Sequence, residues 1–263
     1  MQIFSYPLWT AQPQGPAIHA FVPEKQSANY AVVILAGGAY CFRAEHEGKG
    51  YAEFFAENGI LSFVVDYRHH PDKFPIPLMD ARRAVQFARY NATKFGIDPN
   101  KIAIMGSSAG GHLAALTSVY HNPHTPDVPD AIDSISHRPN AQILCYPVIK
   151  LLGKGVAHLN SGRNLLGELQ AEMGEELSPD LIATSDAPAA FIWHTFEDGA
   201  VHVQNSLDYT KRLKECGVPT ELHVFPYGYH GLGLCKGEDE TSRYNAKWTT
   251  LLLDWLSVNA FKQ

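Results

Sequence analysis

Cysteine is scarce in this sequence, and no two cysteines lie close together. The 263 residues contain four of them, namely Cys41, Cys145, Cys216 and Cys235. This spacing excludes a dense disulfide framework and the C-x-x-C motif of a zinc or redox site. The amino terminus also lacks the basic segment and the apolar run of a secretory signal. We therefore expect reduced thiols and a cytoplasmic protein.

Long apolar runs and runs of basic residues are absent as well. The longest apolar stretches, Ala31–Ala36 and Ile60–Val65, are far shorter than the roughly 20 residues that cross a bilayer. Lys and Arg total 21 against 27 for Asp and Glu, which gives a formal charge of −6. We therefore expect no membrane-spanning segment and no nucleic-acid or anionic-membrane partner.

What the chain does contain is apolar material in an alternating pattern. Hydrophobic residues make up 45% and charged residues 18%, which excludes a disordered chain and fits one compact domain over residues 1–263. Short apolar runs predict six strands: Tyr30–Ala36, Ile60–Tyr67, Lys101–Met105, Ala141–Pro147, Ala189–Thr195 and Thr220–Pro226. Amphipathic stretches predict five helices: Gly50–Glu57, Leu78–Phe95, Ala109–Tyr120, Val203–Cys216 and Thr241–Ala260.

Nearly continuous apolar runs are typical of strands that are buried on both faces of a parallel sheet. Because these strands alternate with helices, we predict an α/β fold with a mostly parallel central sheet and helices on both faces. Two stretches, near residues 121–140 and 150–185, do not fit the alternation. We interpret both as leaving the carboxyl ends of strands, where open sheets bind ligands, and predict that they form a small cap.

One short motif carries chemistry. The segment Gly106–Gly110 reads G-S-S-A-G, which fits G-x-S-x-G with Ser108 at its centre. It follows a predicted strand and opens a predicted helix, the context in which such a serine sits on a sharp turn with its hydroxyl exposed above the sheet. A phosphate-binding turn is the alternative, but no lysine follows as it does in a P-loop. Ser108 is therefore the candidate nucleophile.

A serine hydroxyl needs a base, and the base needs a carboxylate that orients it. After a G-x-S-x-G serine, the acid precedes the histidine in the chain. We choose His230 as the base because it lies in a Gly-flanked loop directly after the last predicted strand. We choose Asp198 as the acid over Glu197, because Gly199 lets the turn tighten directly after it. Three other histidines of the last third of the chain are less suitable. Two lie within predicted strands, His194 and His223, and one lies at the start of a predicted helix, His202.

The loop after the first predicted strand is built from small residues. It reads A-G-G-A-Y over Ala36–Tyr40, so that its backbone N–H groups can face a ligand. We expect Gly38 and Ala39, together with the N–H of Ala109, to form an oxyanion hole; a simple tight turn is the alternative.

Aromatic side chains in the same loops are candidates for stacking on a sugar or phenolic ring, with ordinary loop packing as the alternative. They are Tyr40, Phe42, Phe196, Tyr227 and Tyr229, of which we select Tyr40, Phe196 and Tyr229 as substrate-binding residues. No metal-binding or dinucleotide-binding motif occurs. We therefore expect neither a metal nor a cofactor.

Taken together, these segments resemble the α/β-hydrolase fold esterase/lipase family, and within it the small acetyl-esterase and acetyl-xylan-esterase-like carbohydrate esterases. The resemblance spans nearly the whole chain and rests on segments Ala36–Tyr40, Asp66–Arg68, Asp98–Ile102, Gly106–His112, Tyr146–Pro147, Trp193–Asp198 and Phe225–Gly231. It implies a triad of Ser108, Asp198 and His230 and the same oxyanion donors. Two departures stand out, since Ala36 replaces the family's His or Pro and Ala39 replaces the last glycine of the loop.

The residues and the resemblance predict a serine esterase that acts through an acyl-enzyme. The sequence contains no long amphipathic lid segment, which favours short acyl groups over lipids, and the resemblance implies O-acetyl groups on sugars or xylo-oligosaccharides. The expected partner is therefore a small-molecule or oligosaccharide ester. An arylformamidase-type amide hydrolase uses the same residues and remains an alternative. A non-catalytic binding protein on a hydrolase scaffold is a second alternative, although no triad member is missing.

Overall fold

The computed structural model describes residues 1–262 and contains one eight-stranded sheet. The strands are β1 Gln2–Pro7, β2 Ala17–Val22, β3 Ala31–Leu35, β4 Leu61–Val65, β5 Ile102–Ser107, β6 Ala141–Cys145, β7 Ala189–Thr195 and β8 Thr220–Phe225. Their order across the sheet is β1-β2-β4-β3-β5-β6-β7-β8. β1 and β2 run antiparallel to their neighbours, and β3 to β8 are all parallel. The mostly parallel α/β fold is thereby confirmed.

Helices connect the parallel strands. They are α1 Glu45–Glu57, α2 Ile76–Tyr90, α3 Ala92–Phe95, α4 Ser108–Val119, α5 Leu159–Leu166, α6 Gln170–Met173, α7 Pro179–Ile182, α8 Gln204–Glu215, α9 Glu240–Asn245 and α10 Lys247–Val258. Short 3₁₀ helices cover Ala131–Ser134 and Gly167–Leu169. Predicted helix Leu78–Phe95 is interrupted at Asn91, and predicted helix Thr241–Ala260 is interrupted at Ala246.

The core lies on both faces of the sheet. Along β3, Val33 packs into one apolar cluster with α2, α4 and α8, while the adjacent Val32 packs into a second cluster with α1 and α10. All five side chains of β3 are buried, which is why the strand reads as a continuous apolar run. The sheet is thus a rigid platform whose carboxyl edge carries the loops described below.

The first two strands were not predicted from the sequence. Five of the six residues of β1 are exposed, because β1 is an edge strand that pairs only with β2. Such a strand is held by backbone hydrogen bonds rather than by an apolar face, so its sequence carries no apolar run.

The interpretation of residues 121–140 as a cap segment at a strand end is wrong. This segment follows helix α4 rather than a strand, and it packs along α2. The buried Arg83 of α2 anchors it, with Nη1 2.8 Å from Asp130 and 3.1 Å from Asp133. Residues 150–185, in contrast, do follow the carboxyl end of β6.

The structure also bears on membrane-spanning helices and on the state of the cysteines. Within residues 1–262, no helix is both long enough and apolar enough to cross a membrane. All four cysteines are free thiols, and two of them, Cys145 and Cys235, are buried.

Candidate active site

Ser108 lies on the turn that joins β5 to α4. Its φ angle is 53°, a left-handed conformation that costs a non-glycine residue about 1–3 kcal/mol. The flanking glycines are required by close backbone contacts. A Cβ atom at Gly106 would lie 2.0 Å from the carbonyl oxygen of Gly110, and one at Gly110 would lie 2.2 Å from that of Leu35. The motif therefore holds the serine in a strained turn at the carboxyl edge of the sheet.

His230 and Asp198 come from two other loops and meet Ser108 in a line. Ser108 Oγ lies 2.9 Å from His230 Nε2, and His230 Nδ1 lies 2.6 Å from Asp198 Oδ2. Because a carboxylate only accepts hydrogen bonds, Nδ1 carries the proton and donates it to Asp198. Nε2 is then the acceptor for the Ser108 hydroxyl. The structure thus brings together the three residues that the sequence singled out.

Asp198 is almost buried and fully hydrogen-bonded. Its Oδ1 accepts the backbone N–H groups of Ala200 and Val201 at 2.9 and 2.8 Å, and its Oδ2 receives His230 and also lies 3.2 Å from Nε2 of His194. Burial by itself raises the pKa of this carboxyl, but the hydrogen bonds from His194 and His230 outweigh burial and hold the pKa well below its usual range. Asp198 therefore stays ionised at neutral pH.

The preference for Asp198 over Glu197 rested on a role for Gly199 that the structure contradicts. Gly199 has no positive φ, and a Cβ there would meet nothing within 4 Å, so the turn does not require a glycine. Asp198 itself closes the turn, because its side chain accepts the two backbone N–H groups that follow.

The loop Gly37–Tyr40 lies against the nucleophile. A Cβ at Gly37 would lie 3.1 Å from Cβ of Ser108. Within residues 1–262, the backbone N–H groups of Gly38 and Ala39 donate no hydrogen bond to the protein. Ala109 lies in the first turn of α4, where backbone N–H groups have no partner within the helix. These three N–H groups therefore have no acceptor within the described part of the protein, which is a condition that the predicted oxyanion hole requires.

The same loop is strained and heavily supported. Ala39 and Tyr40 have φ angles of 52° and 58°, although neither is a glycine. Asn164 of α5 donates to the carbonyl oxygen of Ala39 at 2.7 Å, and Tyr67 donates to that of Ala36 at 2.6 Å. A left-handed conformation is unfavourable for alanine, which stands here in place of a glycine. These two hydrogen bonds hold the loop in that conformation.

Tyr40 does not bind substrate with its ring, which corrects the sequence-based expectation. Its side chain is fully buried, and its hydroxyl donates to Nδ1 of His112 at 2.7 Å, because Nε2 of that histidine donates to the Leu177 carbonyl. Phe196 and Tyr229, in contrast, are 68% and 73% exposed. They flank Asp198 and His230 in the chain and remain candidates for contact with a substrate.

Three residues of the site were not recognised from the sequence. Glu47 and Tyr146 form a buried hydrogen bond beneath the loops, and His194 contacts Asp198 from within β7. No motif pointed to Glu47. His194 was considered only as a base, and the spacing of four residues between His194 and Asp198 was the available signal for a direct contact.

Comparisons with known proteins find a family model, similar sequences and a similar solved structure. The family model BD-FAE matches residues 18–213. An acetylxylan esterase of Xylanibacter ruminicola is 31% identical over 219 residues, which are 81% of this chain and 43% of that protein. Endo-1,4-beta-xylanase B of Butyrivibrio fibrisolvens is 36% identical over 230 residues, 85% of this chain and 35% of that protein. The chain thus spans less than half the length of these two relatives.

A solved structure matches over the entire fold. The crystal structure of an acetyl ester-xyloside bifunctional hydrolase from Caldicellulosiruptor lactoaceticus superposes with a TM-score of 0.89 at 36% sequence identity. The match covers 99% of this chain and 97% of that one.

Proposed function

Because the chain belongs to the BD-FAE family of α/β-hydrolase esterases, we propose that it is a serine esterase that removes short acyl groups, above all O-acetyl groups, from sugars or xylo-oligosaccharides. The observation that carries this proposal is the line of contacts from Ser108 through His230 to Asp198 beside three available backbone N–H groups. A nucleophile, a base and donors for an oxyanion are the parts that acyl transfer requires.

In the proposed reaction, Ser108 Oγ attacks the ester carbonyl while Nε2 of His230 takes the hydroxyl proton. The carbonyl oxygen becomes an anion, which accepts hydrogen bonds from the N–H groups of Gly38, Ala39 and Ala109. The C–O bond to the alcohol then breaks, and His230 returns the proton to the leaving oxygen. Water attacks the acyl-enzyme by the same route and releases the acid and free Ser108. Asp198 remains ionised throughout and stabilises the imidazolium.

The proposed substrate class rests on the relatives and on the rim of the site. Two of the relatives are named for acetylxylan or acetyl ester-xyloside hydrolysis. Phe196 and Tyr229 expose their rings beside the residues of the reaction, and exposed aromatic rings can stack on the apolar face of a sugar. We therefore propose an acetylated sugar or xylo-oligosaccharide as the substrate rather than a lipid.

The test compares the wild type with Ser108→Ala on acetylated xylo-oligosaccharides, on p-nitrophenyl acetate, butyrate and octanoate, and on N-formylkynurenine. We expect preference for acetyl esters and a loss of kcat on the order of 10⁶-fold in the variant. Ser118→Ala is the matched control, because Ser118 is a buried serine of the same helix whose hydroxyl donates to the carbonyl oxygen of Ala114 and not to His230. Retention of more than about a tenth of the activity by Ser108→Ala contradicts the mechanism, and turnover of the formamide alone contradicts the esterase.

A further inference from the structure

A buried carboxylate lies behind the oxyanion loop. Glu47 of α1 is only 3% exposed. Its Oε2 accepts the backbone N–H of Gly37 at 2.9 Å, and its Oε1 accepts the hydroxyl of Tyr146 at 2.6 Å. A carboxyl group is costly to bury unless its oxygens are hydrogen-bonded, so its presence at this point calls for an explanation beyond packing.

Tyr146 connects the same carboxylate to the loop that carries His230. Its hydroxyl donates to Glu47 and accepts the backbone N–H of Gly233 at 2.9 Å. Its ring packs edge-on against the imidazole of His230, with 5.1 Å between the ring centroids and an interplanar angle of 72°. Tyr146 thus contacts both the base and the segment that follows it.

These contacts form a continuous bridge between two loops that are far apart in sequence. The bridge runs from the N–H of Gly37 through Glu47 and Tyr146 to the N–H of Gly233. A second contact runs parallel to it at the surface, since Nε2 of His46 donates to the carbonyl oxygen of Gly231 at 2.9 Å. Helix α1 therefore contributes adjacent residues to both connections.

We propose that Glu47 and Tyr146 are positioning residues that hold the oxyanion loop in register with His230, an inference that rests on the proposed esterase function. With its own N–H turned toward Glu47, Gly37 leaves the next two N–H groups free to face the reacting carbonyl. A distance error of a fraction of an ångström between the hole and the base lowers the rate of acyl transfer, because both groups act on the same transition state.

The chemistry of the bridge requires two acceptor oxygens at position 47. A glutamine there presents one oxygen and one NH₂ group, so one of its two neighbours faces a donor instead of an acceptor. If the NH₂ group faces Gly37, two N–H groups oppose each other. If it faces Tyr146, the phenol must accept from both this NH₂ group and Gly233, and its proton turns from position 47 to the hydroxyl of Tyr51, 3.2 Å away. Glu47→Gln therefore changes the bridge while it preserves size and shape.

The test uses Glu47→Gln, Tyr146→Phe and the double variant, with Tyr209→Phe as the control. Tyr209 is also fully buried, but its hydroxyl donates to Gln142 and lies outside the bridge. We expect each single variant of the bridge to lose about tenfold in kcat, with KM for p-nitrophenyl acetate within about threefold of the wild type. The double variant should lose no more than the more affected single variant, because both changes break one connection.

A second measurement needs no ester turnover. The rate at which a fluorophosphonate labels Ser108, followed by intact mass, depends on the same base and oxyanion hole. It should fall about tenfold in both bridge variants and remain unchanged in Tyr209→Phe. Urea unfolding shows whether Glu47→Gln folds. If it does not, Tyr146→Phe still tests the bridge, because this variant removes the hydroxyl and keeps the ring against His230.

The inference is overturned if kcat and the labelling rate of both variants equal those of Tyr209→Phe, or if the losses multiply in the double variant. Failure of the proposed function has a different signature. If the proposed function is wrong, Ser108→Ala turns over esters as fast as the wild type. If only the inference is wrong, Ser108→Ala is inactive and the bridge variants behave as stated above.

Discussion

His194 and Asp198 are joined by a contact of 3.2 Å between Nε2 and Oδ2, the same carboxylate oxygen that receives the proton-bearing nitrogen of His230. His194 is fully buried, its Nε2 also donates to the carbonyl oxygen of Val201 at 2.9 Å, and its Nδ1 lies 2.8 Å from the hydroxyl oxygen of Ser206. Two histidines thus orient one carboxylate.

The first prediction concerns this shared oxygen. His194→Phe removes the second histidine donor to Asp198, and we expect kcat to fall about three- to tenfold, the scale of the net contribution of one typical hydrogen bond. His194→Gln keeps an N–H donor in nearly the same place and should recover most of the loss. Steady-state kinetics with p-nitrophenyl acetate measure both variants. Equal activity of His194→Phe and the wild type would show that His230 alone orients the carboxylate.

The second prediction separates a glycine that the site requires from one that it does not. In Gly110→Ala the new Cβ would lie 2.2 Å from the carbonyl oxygen of Leu35 and 2.5 Å from that of Ala36. The backbone beneath Ser108 must then shift, which we expect to cost about 1–3 kcal/mol of unfolding free energy and about 100-fold in kcat. The control is Gly199→Ala, where a Cβ meets nothing within 4 Å.

Urea unfolding and kcat are measured for both glycine variants. Gly199→Ala should differ from the wild type by less than about 0.5 kcal/mol, although it neighbours Asp198. The interpretation fails if the two alanine variants behave alike.

The third prediction is a pH dependence of stability. Burial lowers the pKa of His112 to about 4, from its ordinary value of 6.5. Above pH 6.5, His112 is neutral in both the folded and the unfolded chain, so its full contribution to the unfolding free energy is present. As the pH falls below 6.5, the unfolded chain takes up the proton and the folded chain does not, so unfolding free energy is lost until about pH 4. The loss amounts to at most about 3 kcal/mol.

His112→Gln should remove this part of the pH dependence. Glutamine can still accept from Tyr40 and donate to the carbonyl of Leu177, as His112 does, but it does not titrate. Urea unfolding between pH 7.5 and 4.5 should therefore show a smaller loss in the variant. Burial also lowers the pKa of His137 to about 4, so part of the dependence persists in both proteins. Identical curves would contradict the assignment to His112.

The fourth prediction concerns the exposed aromatic rings. Phe196→Ala and Tyr229→Ala should each raise KM for acetylated xylo-oligosaccharides about three- to tenfold through the loss of stacking. KM for p-nitrophenyl acetate should change by less than about twofold, because this substrate is too small to reach the rim. Tyr90→Ala, which removes a 53% exposed ring from α2, is the control. If both substrates are affected equally, these rings support the loops instead.

Much of the fold was determined by the sequence itself. Most of the six parallel strands could be predicted because strands buried on both faces are nearly continuous apolar runs. β8 is the exception, since it is an edge strand whose residues are mostly half-buried. The nucleophile turn was recognisable because its sterics demand glycine at Gly106 and Gly110, and a requirement of local geometry leaves a local pattern. His230 could be found because the order of the motif and the end of β8 together left one suitable loop.

Only the tertiary structure identified the buried side chains that support the site. Glu47 and Tyr146 are separated by 99 positions, and His194 meets Asp198 only because β7 ends in a turn that folds back on it. The fully buried ring of Tyr40 was equally hidden, since residues next to a site in sequence can face either the cleft or the core. The physical reason is that a hydrogen bond between distant side chains imposes no spacing on the chain between them, so such contacts are decided by packing and not by any pattern that a single sequence displays.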